Sequence, residues 1–376
     1  MGRQATISGC FRISIYGYRF SEMSAISVFK LEDISIEWLN SMFDESSDQI
    51  VGFRCNPVGT GQMGTNIRVE LDWKSGSVPT TVIMKFASND KKTRITGIQT
   101  GAYEKEVRFY SEVAHLVDVA LPKIYRAEII PGTADMVLVM EDLAPREQGD
   151  QLVGSTFEQA QIAVREAASL HGSTWGSDSL SSKDWLIKRK SSDIEDFVDL
   201  AHQLFSSFLS RYKSDLSKLA IEVGNNFLPL LHQWLHAAPD PICLTHGDFR
   251  LDNLMFDMEA ERALVVVDWQ TVSFGLGISD ISYFLGSGLL PALRSQHEKI
   301  LVQEYYEVLK SYLDPYTYTF SECWNGYRRQ SFGGYLMAIV AAMLVERTQR
   351  GDQMFLAMLE RHADQVVQLD AFNLLS

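Results

Sequence analysis

The amino-acid sequence predicts an α+β protein of two lobes, a small antiparallel β lobe followed by a larger helical lobe. Apolar and polar residues alternate strictly over residues 65–73, which is typical of a half-buried antiparallel strand. After residue 143 the apolar residues fall mainly at helical spacing instead. The chain has 376 residues, enough for two lobes that each bury a core.

The first 30 residues are predicted to form an N-terminal extension outside the folded lobes. The first 22 residues hold three arginines and no acid before Glu22, and their apolar stretches are too broken for a secretory signal. Met23 is an alternative natural start, and a disordered extension is favoured over a targeting segment. We therefore expect the first 22 residues to be dispensable for folding.

Residues 31–143 are assigned to the first lobe, called the N-lobe below. Apolar residues at helical spacing predict an amphipathic helix over residues 31–43. The strand at residues 65–73 is followed by a turn and by a return strand over residues 80–88. A helix over residues 101–116 and strands that end with residues 134–143 complete this lobe.

Residues 144–376 are assigned to the second lobe, called the C-lobe. Helical patterns begin at residues 156–176 and cover most of residues 194–235. Two short strand-like pieces, residues 242–244 and 263–269, interrupt these helices. Helical patterns then continue to the C-terminus, so the sequence predicts a mainly helical lobe with little sheet.

Composition disfavours several classes of protein. The formal net charge is −14 and no basic stripe is present, so nucleic acid is not expected as a partner. The four cysteines form no CxxC pair, which favours a reducing, cytoplasmic compartment over a zinc or disulfide framework. The longest apolar run, residues 335–345, is shorter than the roughly 20 residues that cross a bilayer. No membrane span is expected, and the sequence leaves the oligomeric state open.

A glycine-rich stretch, GTGQMG, contains Gly59, Gly61 and Gly64 at GxGxxG spacing. A dinucleotide-binding loop of this pattern would be followed by a helix, whereas a β-strand follows here. A Walker A loop needs Lys after its last glycine, and Thr65 stands there. Two interpretations remain: a turn between antiparallel strands whose N–H groups cover nucleotide phosphates, or a plain glycine hairpin.

Lys85 ends the apolar run VIM of the predicted return strand. A lysine among such residues is costly unless it is paired. On the next predicted helix Glu106 projects within the broad apolar face, while Glu104 lies at its margin and Glu112 on the far side. A strand Lys opposite a helix Glu is the ion pair that holds phosphates in kinases. A structural salt bridge is the alternative.

The stretch LTHGDFRLDNLMFD places Asp248 after His246-Gly247 and Asn253 five residues later. Asp268 ends the next apolar strand, ALVVV. Phosphoryl transfer needs a carboxylate to accept the hydroxyl proton and oxygen ligands for magnesium. This order parallels H-R-D-x-x-x-x-N followed by D-F-G in protein kinases. Each Asp alone could be a turn residue or helix cap, but the full series makes that interpretation weaker.

With these residues in place, the sequence HGDFRLDN…VVDWQTVSFGLGISDISYFLG resembles the aminoglycoside phosphotransferase and choline kinase superfamily, and within it the ecdysteroid kinase-like branch. The resemblance extends from about residue 48 onward and implies a two-lobed protein-kinase-like fold that uses ATP and Mg²⁺. It implies that Asp248 is the catalytic base and that Lys85 contacts the α and β phosphates. It also implies that Asn253 and Asp268 bind magnesium, and that the hinge from Glu141 to Leu143 meets adenine through its backbone.

Departures from the protein-kinase pattern favour a small-molecule alcohol as the substrate. Trp269-Gln270 follows Asp268 in place of Phe-Gly, and no A-P-E element or long activation segment fits before Asp280. A catalytically silent kinase-like protein that binds a ligand is the alternative from another class, and a protein kinase is a further one. The complete set of polar groups argues against the first, and the missing segment argues against the second.

Several other polar residues have open or structural interpretations. His171, in the helical stretch AASLHGSTWG, is interpreted as structural. Asp280 is expected to cap or brace the catalytic loop. Arg250 either neutralises phosphate charge or lies, with Asp252, on a solvated loop face.

Two further patterns invite a functional interpretation. His232 and His236 share a helix face, but the sequence suggests no third metal ligand, so a plain surface pair is favoured. The C-lobe is also rich in aromatic residues, which either line a pocket for a flat apolar alcohol or quaternary ammonium, or pack helices together. Packing is the better interpretation for most of them. These residues are Tyr305, Tyr306, Tyr312, Tyr316, Tyr318, Phe320, Trp324, Tyr327, Phe332 and Tyr335.

Overall fold

The computed structural model describes residues 28–43, 48–59, 63–186, 193–239, 242–314 and 317–375. The N-lobe contains one five-stranded antiparallel sheet in the order β1-β2-β3-β5-β4. Its strands are β1 (Ile50–Pro57), β2 (Gly64–Trp73), β3 (Thr81–Ala87), β4 (Ile124–Ile129) and β5 (Met136–Glu141). The predicted strands over residues 65–73, 80–88 and 134–143 correspond to β2, β3 and β5.

The sheet is covered on both faces. Along β5, Val137 and Val139 join one hydrophobic cluster, whereas Met136, Leu138 and Met140 join the other. On β2 the alternation predicted from the sequence is present, because Ile67, Val69 and Leu71 are all buried. A strand that packs on both faces needs apolar residues at successive positions, which explains the continuous apolar run of β5.

The prediction of a single helix over residues 31–43 is wrong, because the helix in the structure is much shorter. A 3₁₀ turn (Leu31–Asp33) is followed by a short helix, α1 (Ile36–Asn40). Ser35 separates the two, and its side chain accepts a hydrogen bond from the N–H of Trp38. The Asn40 side chain bonds to both the N–H and the carbonyl of Ile50, which fixes the end of α1 against β1.

The chain enters the N-lobe earlier than the sequence predicted. Val28 is fully buried and Phe29 packs against the same cluster, so these residues belong to the N-lobe and not to the extension predicted for residues 1–30. The rest of that predicted extension, residues 1–27, lies outside the described residues.

The helix predicted over residues 101–116 is interrupted. Helices α2 (Lys91–Thr100) and α3 (Ala102–Arg108) meet at Gly101, which has a φ of 69°. After α3 the chain forms a π-helical turn (Phe109–Val113) and a 3₁₀ turn (Ala114–Leu116). Such π turns occur frequently at functional sites.

Helices dominate the C-lobe, as the sequence predicted. Its helices are α4 (Phe157–Ser173), α5 (Asp178–Ser181), α6 (Ile194–Tyr212), α7 (Lys218–Phe227), α8 (Leu231–His236), α9 (Ile278–Gly288), α10 (Pro291–Lys310), α11 (Phe320–Leu344) and α12 (Gln349–Gln368). Its short strands are β6 (Glu147–Gln148), β7 (Cys243–Thr245), β8 (Leu254–Phe256), β9 (Leu264–Val266) and β10 (Ser273–Gly275). They form a β6-β8-β9 sheet and a β7-β10 pair. The two predicted strand-like pieces correspond to β7 and β9.

The aromatic residues of the C-lobe lie mostly in its core. Tyr305, Tyr327, Phe332 and Tyr335 are each at most 1% exposed, as helix packing requires. Tyr312 is exposed, and Tyr316 lies outside the described residues. Helix packing is therefore the correct interpretation for most of these rings. None of the described helices is long and apolar enough to span a membrane.

Candidate active site

Lys85 joins two carboxylates at the seam between the lobes. It lies on β3, and its ammonium Nζ is 2.7 Å from Glu106 Oε1 on α3 and 2.7 Å from Asp268 Oδ1 in the C-lobe. Lys85 and Glu106 are buried. The sequence predicted Lys85 and Glu106 as an ion pair across strand and helix, and the structure brings them together with Asp268 as a third member.

The charges of these three groups depend on one another. Burial lowers the pKa of Lys85, but the carboxylates of Asp268 and Glu106 outweigh burial and raise that pKa above its ordinary value. Burial raises the pKa of Glu106 to about 7, although Lys85 opposes the rise. Burial also acts to raise the pKa of Asp268, yet Lys85 holds it below the ordinary value. Of the two carboxylates that contact Lys85, Asp268 is therefore more readily ionised than Glu106.

Asp268 has an unusual backbone conformation that orients its carboxylate. It follows β9 by two residues and has a φ of 68°, in the left-handed region that non-glycine residues rarely adopt. The next residue, Trp269, is fully buried and stacks on Phe109 of the π turn, with ring centroids 3.9 Å apart and planes 6° apart. This stack fixes Trp269, and with it the orientation of Asp268, against the N-lobe.

Asn253 lies beside Asp248 and is hydrogen-bonded to it. Its side-chain Nδ2 donates to the Asp248 carbonyl at 2.8 Å and to Asp248 Oδ2 at 3.0 Å. These bonds direct the Asn253 Oδ1 away from Asp248 and leave it as a possible ligand. Its own carbonyl accepts from the N–H of Val267, one residue before Asp268. Asn253 and Asp268 thus lie on two neighbouring segments that are joined by a backbone hydrogen bond.

A buried carboxylate braces the loop that carries Asp248, as the sequence predicted for Asp280. Asp280 accepts hydrogen bonds from the N–H groups of His246 at 2.7 Å and Gly247 at 3.0 Å. His171 Nε2 lies 3.2 Å from Asp280, and His171 Nδ1 lies 3.0 Å from the Tyr305 hydroxyl. Both polar atoms of the His171 ring are therefore occupied in the core, which supports its structural interpretation.

Gly247 is required by the shape of the same loop. Its φ is 81°, and a Cβ at this position would lie 2.6 Å from the carbonyl oxygen of Thr271. Both facts exclude a larger residue without movement of the backbone. Glycine thus lets the loop pass close to the segment that follows Asp268.

The Asp248 carboxylate accepts hydrogen bonds from residues that the sequence did not assign to it. Arg250 Nε lies 3.1 Å from Oδ1 and 3.0 Å from Oδ2, and the Tyr283 hydroxyl donates to Oδ1 at 3.0 Å. Burial raises the pKa of Tyr283 well above its ordinary value, so Tyr283 stays protonated as a donor. The one sequence signal for Tyr283 is its position on α9, three residues after Asp280 and hence on a similar face.

Arg250 and Asp252 do not lie on a solvated loop face. Arg250 Nη1 donates to Asp252 Oδ2 at 2.7 Å. Arg350 of α12 donates to both carboxylate oxygens of Asp252, at 3.1 Å each. Asp252 is buried and the Arg250 side chain is only 13% exposed. Arg250 therefore holds the Asp248 carboxylate, and Arg350 anchors this arrangement to α12.

The glycine-rich stretch falls between β1 and β2, and residues 60–62 of it lie outside the described residues. Gly59 has a φ of 75°, and a Cβ on Gly64 would lie 2.8 Å from the Phe86 carbonyl, so neither position accepts another residue easily. Gly61 lies outside the described residues. The Tyr103 hydroxyl of α3 donates to the carbonyl of Met63 at 2.8 Å, which ties the end of the stretch to the helix that carries Glu106.

The predicted hinge connects the lobes after β5. The Glu141 N–H donates to the Lys123 carbonyl at 2.8 Å, and the Leu143 carbonyl accepts from the Arg146 N–H at 2.8 Å. Between them Asp142 receives two hydrogen bonds from Arg68 of β2, at 2.7 and 3.0 Å. The sequence did not single out this pair, which fixes the hinge to the sheet.

The residues present fit a magnesium ion bound together with phosphates. Mg²⁺ prefers oxygen ligands, and Asp268 and Asn253 supply a carboxylate and an amide oxygen. The second Asp268 oxygen receives only a long hydrogen bond, 3.4 Å, from Gln270.

Within the described residues Glu106 Oε2 is buried without a hydrogen-bond partner, so the ion pair with Lys85 uses only one of the two Glu106 carboxylate oxygens.

Comparisons with known proteins identify the fold of this chain. The choline kinase of Cryptosporidium parvum has a similar structure, with a TM-score of 0.50, 11% identity, and 85% of this chain and 92% of that chain covered. The GDP and kanamycin complex of an aminoglycoside phosphotransferase gives a TM-score of 0.50 and 11% identity, with 90% and 100% covered. At such low identity these structures establish the fold, and they confirm the predicted two-lobed kinase-like architecture.

Sequence relatives match only a short segment. The acyl-CoA dehydrogenase family member 11 of Rattus norvegicus is 44% identical over 41 residues, which is 11% of this chain and 5% of that protein. The family match is much longer, because residues 60–318 match the ecdysteroid kinase-like family. That range includes the loop with Asp248, together with Lys85, Glu106 and Asp268. The chain therefore belongs to the ecdysteroid kinase-like family.

Proposed function

We propose that this protein transfers a phosphoryl group from ATP, with Mg²⁺, to a hydroxyl group of a small molecule. The observation that carries the proposal is the Lys85 ammonium, which lies 2.7 Å from both Glu106 and Asp268 across the lobe seam. Phosphoryl transfer in kinases uses a phosphate-binding cation next to a metal-binding carboxylate, and Lys85 and Asp268 would fill these two roles.

The N-lobe residues would hold the nucleotide. Lys85 would bind its phosphates, with Glu106 keeping the ammonium in place, and the turn with Gly59, Gly61 and Gly64 would cover them. The backbone of Glu141 and Leu143 would meet the adenine. Asn253 and Asp268 would hold Mg²⁺, which when bound neutralises charge on the phosphates.

Asp248 would orient the substrate hydroxyl and accept its proton. A carboxylate has about four acceptor positions, and Arg250, Tyr283 and Asn253 already donate to its two oxygens. A substrate hydroxyl therefore has to share or replace one of these donors. Tyr283 is the neutral donor on Oδ1, so we expect the substrate hydroxyl to arrive beside Tyr283 and to share that oxygen with it.

The segment after Asp268 supports a small molecule as the acceptor. It forms a 3₁₀ turn (Trp269–Thr271) and then β10, which pairs with β7, before α9 begins at Ile278. This path leaves no room for the long segment that presents peptide substrates in protein kinases. The chemical identity of the alcohol is less constrained, because four of the C-lobe aromatic residues considered as the lining of an apolar pocket are at most 1% exposed.

The proposal is tested in two steps. ATP should raise the melting temperature more with Mg²⁺ than without it. An ADP-release screen should then cover choline-like amines, aminoglycosides, sterols, sugars and hydroxyacyl-CoA esters, with Asp248→Asn as the inactive control. Magnesium-dependent nucleotide binding without ADP release on any alcohol would favour the silent, ligand-binding alternative. Absence of nucleotide binding would contradict the proposed function.

A further inference from the structure

A group of three potential metal ligands lies on the exposed surface of the C-lobe. Glu195 is in the first turn of α6, and His232 and His236 are on α8. One ligand atom from each residue lies within 4.8 Å of the other two, and all three side chains are exposed. The pair of histidines was visible in the sequence, whereas the fold adds Glu195 from 37 residues upstream.

The packing of α8 directs its two histidines toward α6. On the rest of the helix, Trp234 donates to the Arg329 carbonyl at 3.1 Å and Gln233 donates to the Leu375 carbonyl at 2.6 Å. Leu231 is fully buried. These contacts fix the rotation of the helix, so the histidines, four residues apart, share one face. Their ring centroids are 4.3 Å apart.

The donor atoms fit a transition-metal ion better than magnesium. Imidazole nitrogens are ligands for zinc, nickel and copper ions, and zinc sites often combine two His with one Glu and a water. At bond lengths of about 2.1 Å, ligand atoms of a tetrahedral site lie about 3.4 Å apart. His232 Nε2 is 2.6 Å from Glu195 Oε1, and the widest separation in the group is 4.8 Å. Because the three side chains are exposed, rotation about their side-chain torsions can bring the ligand atoms to the spacing of a tetrahedral site.

His236 provides a second, independent indication. It makes no hydrogen bond to any residue in the described part of the chain, so both of its ring nitrogens are open to a ligand. His232 Nε2 already lies within hydrogen-bond distance of Glu195 Oε1, so two of the three ligand atoms face each other. The formal charge of −14 also favours attraction of a cation to this protein.

We propose that Glu195, His232 and His236 form a binding site for a divalent transition-metal ion of the zinc class, which cross-links α6 to α8. The site is separate from the magnesium ligands Asn253 and Asp268, and it does not depend on the proposed phosphotransfer. Because all three ligands are exposed, water completes the coordination of the ion. The expected effect is stabilisation of the folded C-lobe in proportion to metal occupancy.

Zinc titration of the full chain, untagged and first treated with chelator, tests the site. Excess Mg²⁺ in the buffer occupies the oxygen ligands of the candidate active site. Isothermal titration calorimetry should show one Zn²⁺ per chain, and His236→Ala and Glu195→Gln should each weaken binding by at least about tenfold. His115→Ala removes an exposed histidine of the N-lobe and should bind Zn²⁺ like the unmodified protein.

Thermal unfolding provides the second measurement. Zn²⁺ should raise the melting temperature of the unmodified protein, and should leave that of the His232→Ala/His236→Ala double variant unchanged. Because these side chains are exposed, both proteins should melt at the same temperature without metal. Equal zinc affinity of all variants would overturn the proposal, since the ion would then bind elsewhere. Loss of binding in His236→Ala but not in Glu195→Gln would overturn the role of Glu195 and with it the cross-link.

Discussion

Replacing Lys85 with Met would test whether the ion pairs at the lobe seam are as buried as described. The substitution keeps a long apolar side chain and removes the charge that lies 2.7 Å from both Glu106 and Asp268. Removing one member of a buried ion pair typically costs about 3–5 kcal/mol, because the partner charge remains uncompensated. Here Glu106 is 1% exposed, so we expect a loss of free energy of unfolding in that range at pH 7.5.

The loss should depend on pH in a defined direction. The pKa of Glu106 is already raised to about 7 in the folded protein, and without Lys85 it should rise further. A carboxyl group whose folded pKa is raised above its unfolded value destabilises the fold increasingly as pH rises through that interval. Lys85→Met should therefore lose less free energy of unfolding at pH 5.5, where Glu106 is protonated, than at pH 7.5.

Urea unfolding at pH 5.5 and at pH 7.5 measures the loss of free energy of unfolding. Two control variants show whether that loss comes from the buried ion pair. Lys85→Met combined with Glu106→Gln removes the buried Glu106 charge together with its partner, and should recover part of the lost stability, because Asp268 still lacks Lys85. Arg54→Met removes a cation from an exposed pair with Glu70 and should leave stability nearly unchanged. A loss below about 1 kcal/mol at pH 7.5, or an equal loss at both pH values, would refute the argument.

Three further substitutions separate the roles of the candidate active-site residues. Asp248→Asn should lower turnover by about 10²–10⁴, the usual value of general-base assistance, and ATP titration should show unchanged affinity; loss of nucleotide binding would reverse the assignment. Asp268→Asn removes a charged oxygen ligand, so magnesium titration should show weaker dependence on the ion and weaker ATP binding; unchanged magnesium affinity would exclude it as a ligand. Tyr283→Phe removes one hydrogen bond to the Asp248 carboxylate, a contact typically worth about 1.5–3 kcal/mol. Turnover should fall about tenfold or more, and because the bond also stabilises the fold, the melting temperature should fall by roughly a few degrees. Turnover equal to that of the unmodified protein, measured well below the melting temperature, would exclude a positioning role.

The sequence identified the candidate-site residues that stand out from their local pattern. Lys85 interrupts an apolar strand, Glu106 lies within a broad apolar helix face, and Asp268 follows a buried strand, so each is visible within a short window. The structure brings Lys85 and Glu106 together as predicted, adds Asp268 to the pair, and places Asn253 beside Asp248. Their chemical roles remain predictions, because the roles depend on a nucleotide and a substrate.

Contacts between distant segments could not be predicted in this way. Arg350 binds Asp252 from 98 residues away, and nothing near Arg350 in the sequence distinguishes it from a surface arginine. Glu195 likewise meets His232 only because α6 and α8 pack together. The break after α3 was missed for a related reason, because apolar spacing continues through the π turn at Phe109–Val113 while the backbone hydrogen bonding changes.

The stack of Trp269 on Phe109 also affects the thermodynamics of ligand binding. Turning the backbone of Asp268 away from Lys85 would separate the rings of Trp269 and Phe109, whose pairing contributes about 0.5–1.5 kcal/mol beyond the area buried. It would also expose a tryptophan that is fully buried. Asp268 is thus preorganised, and in the proposed function the loss of conformational entropy needed to orient it would accompany folding of the chain and would not recur at each encounter with a nucleotide.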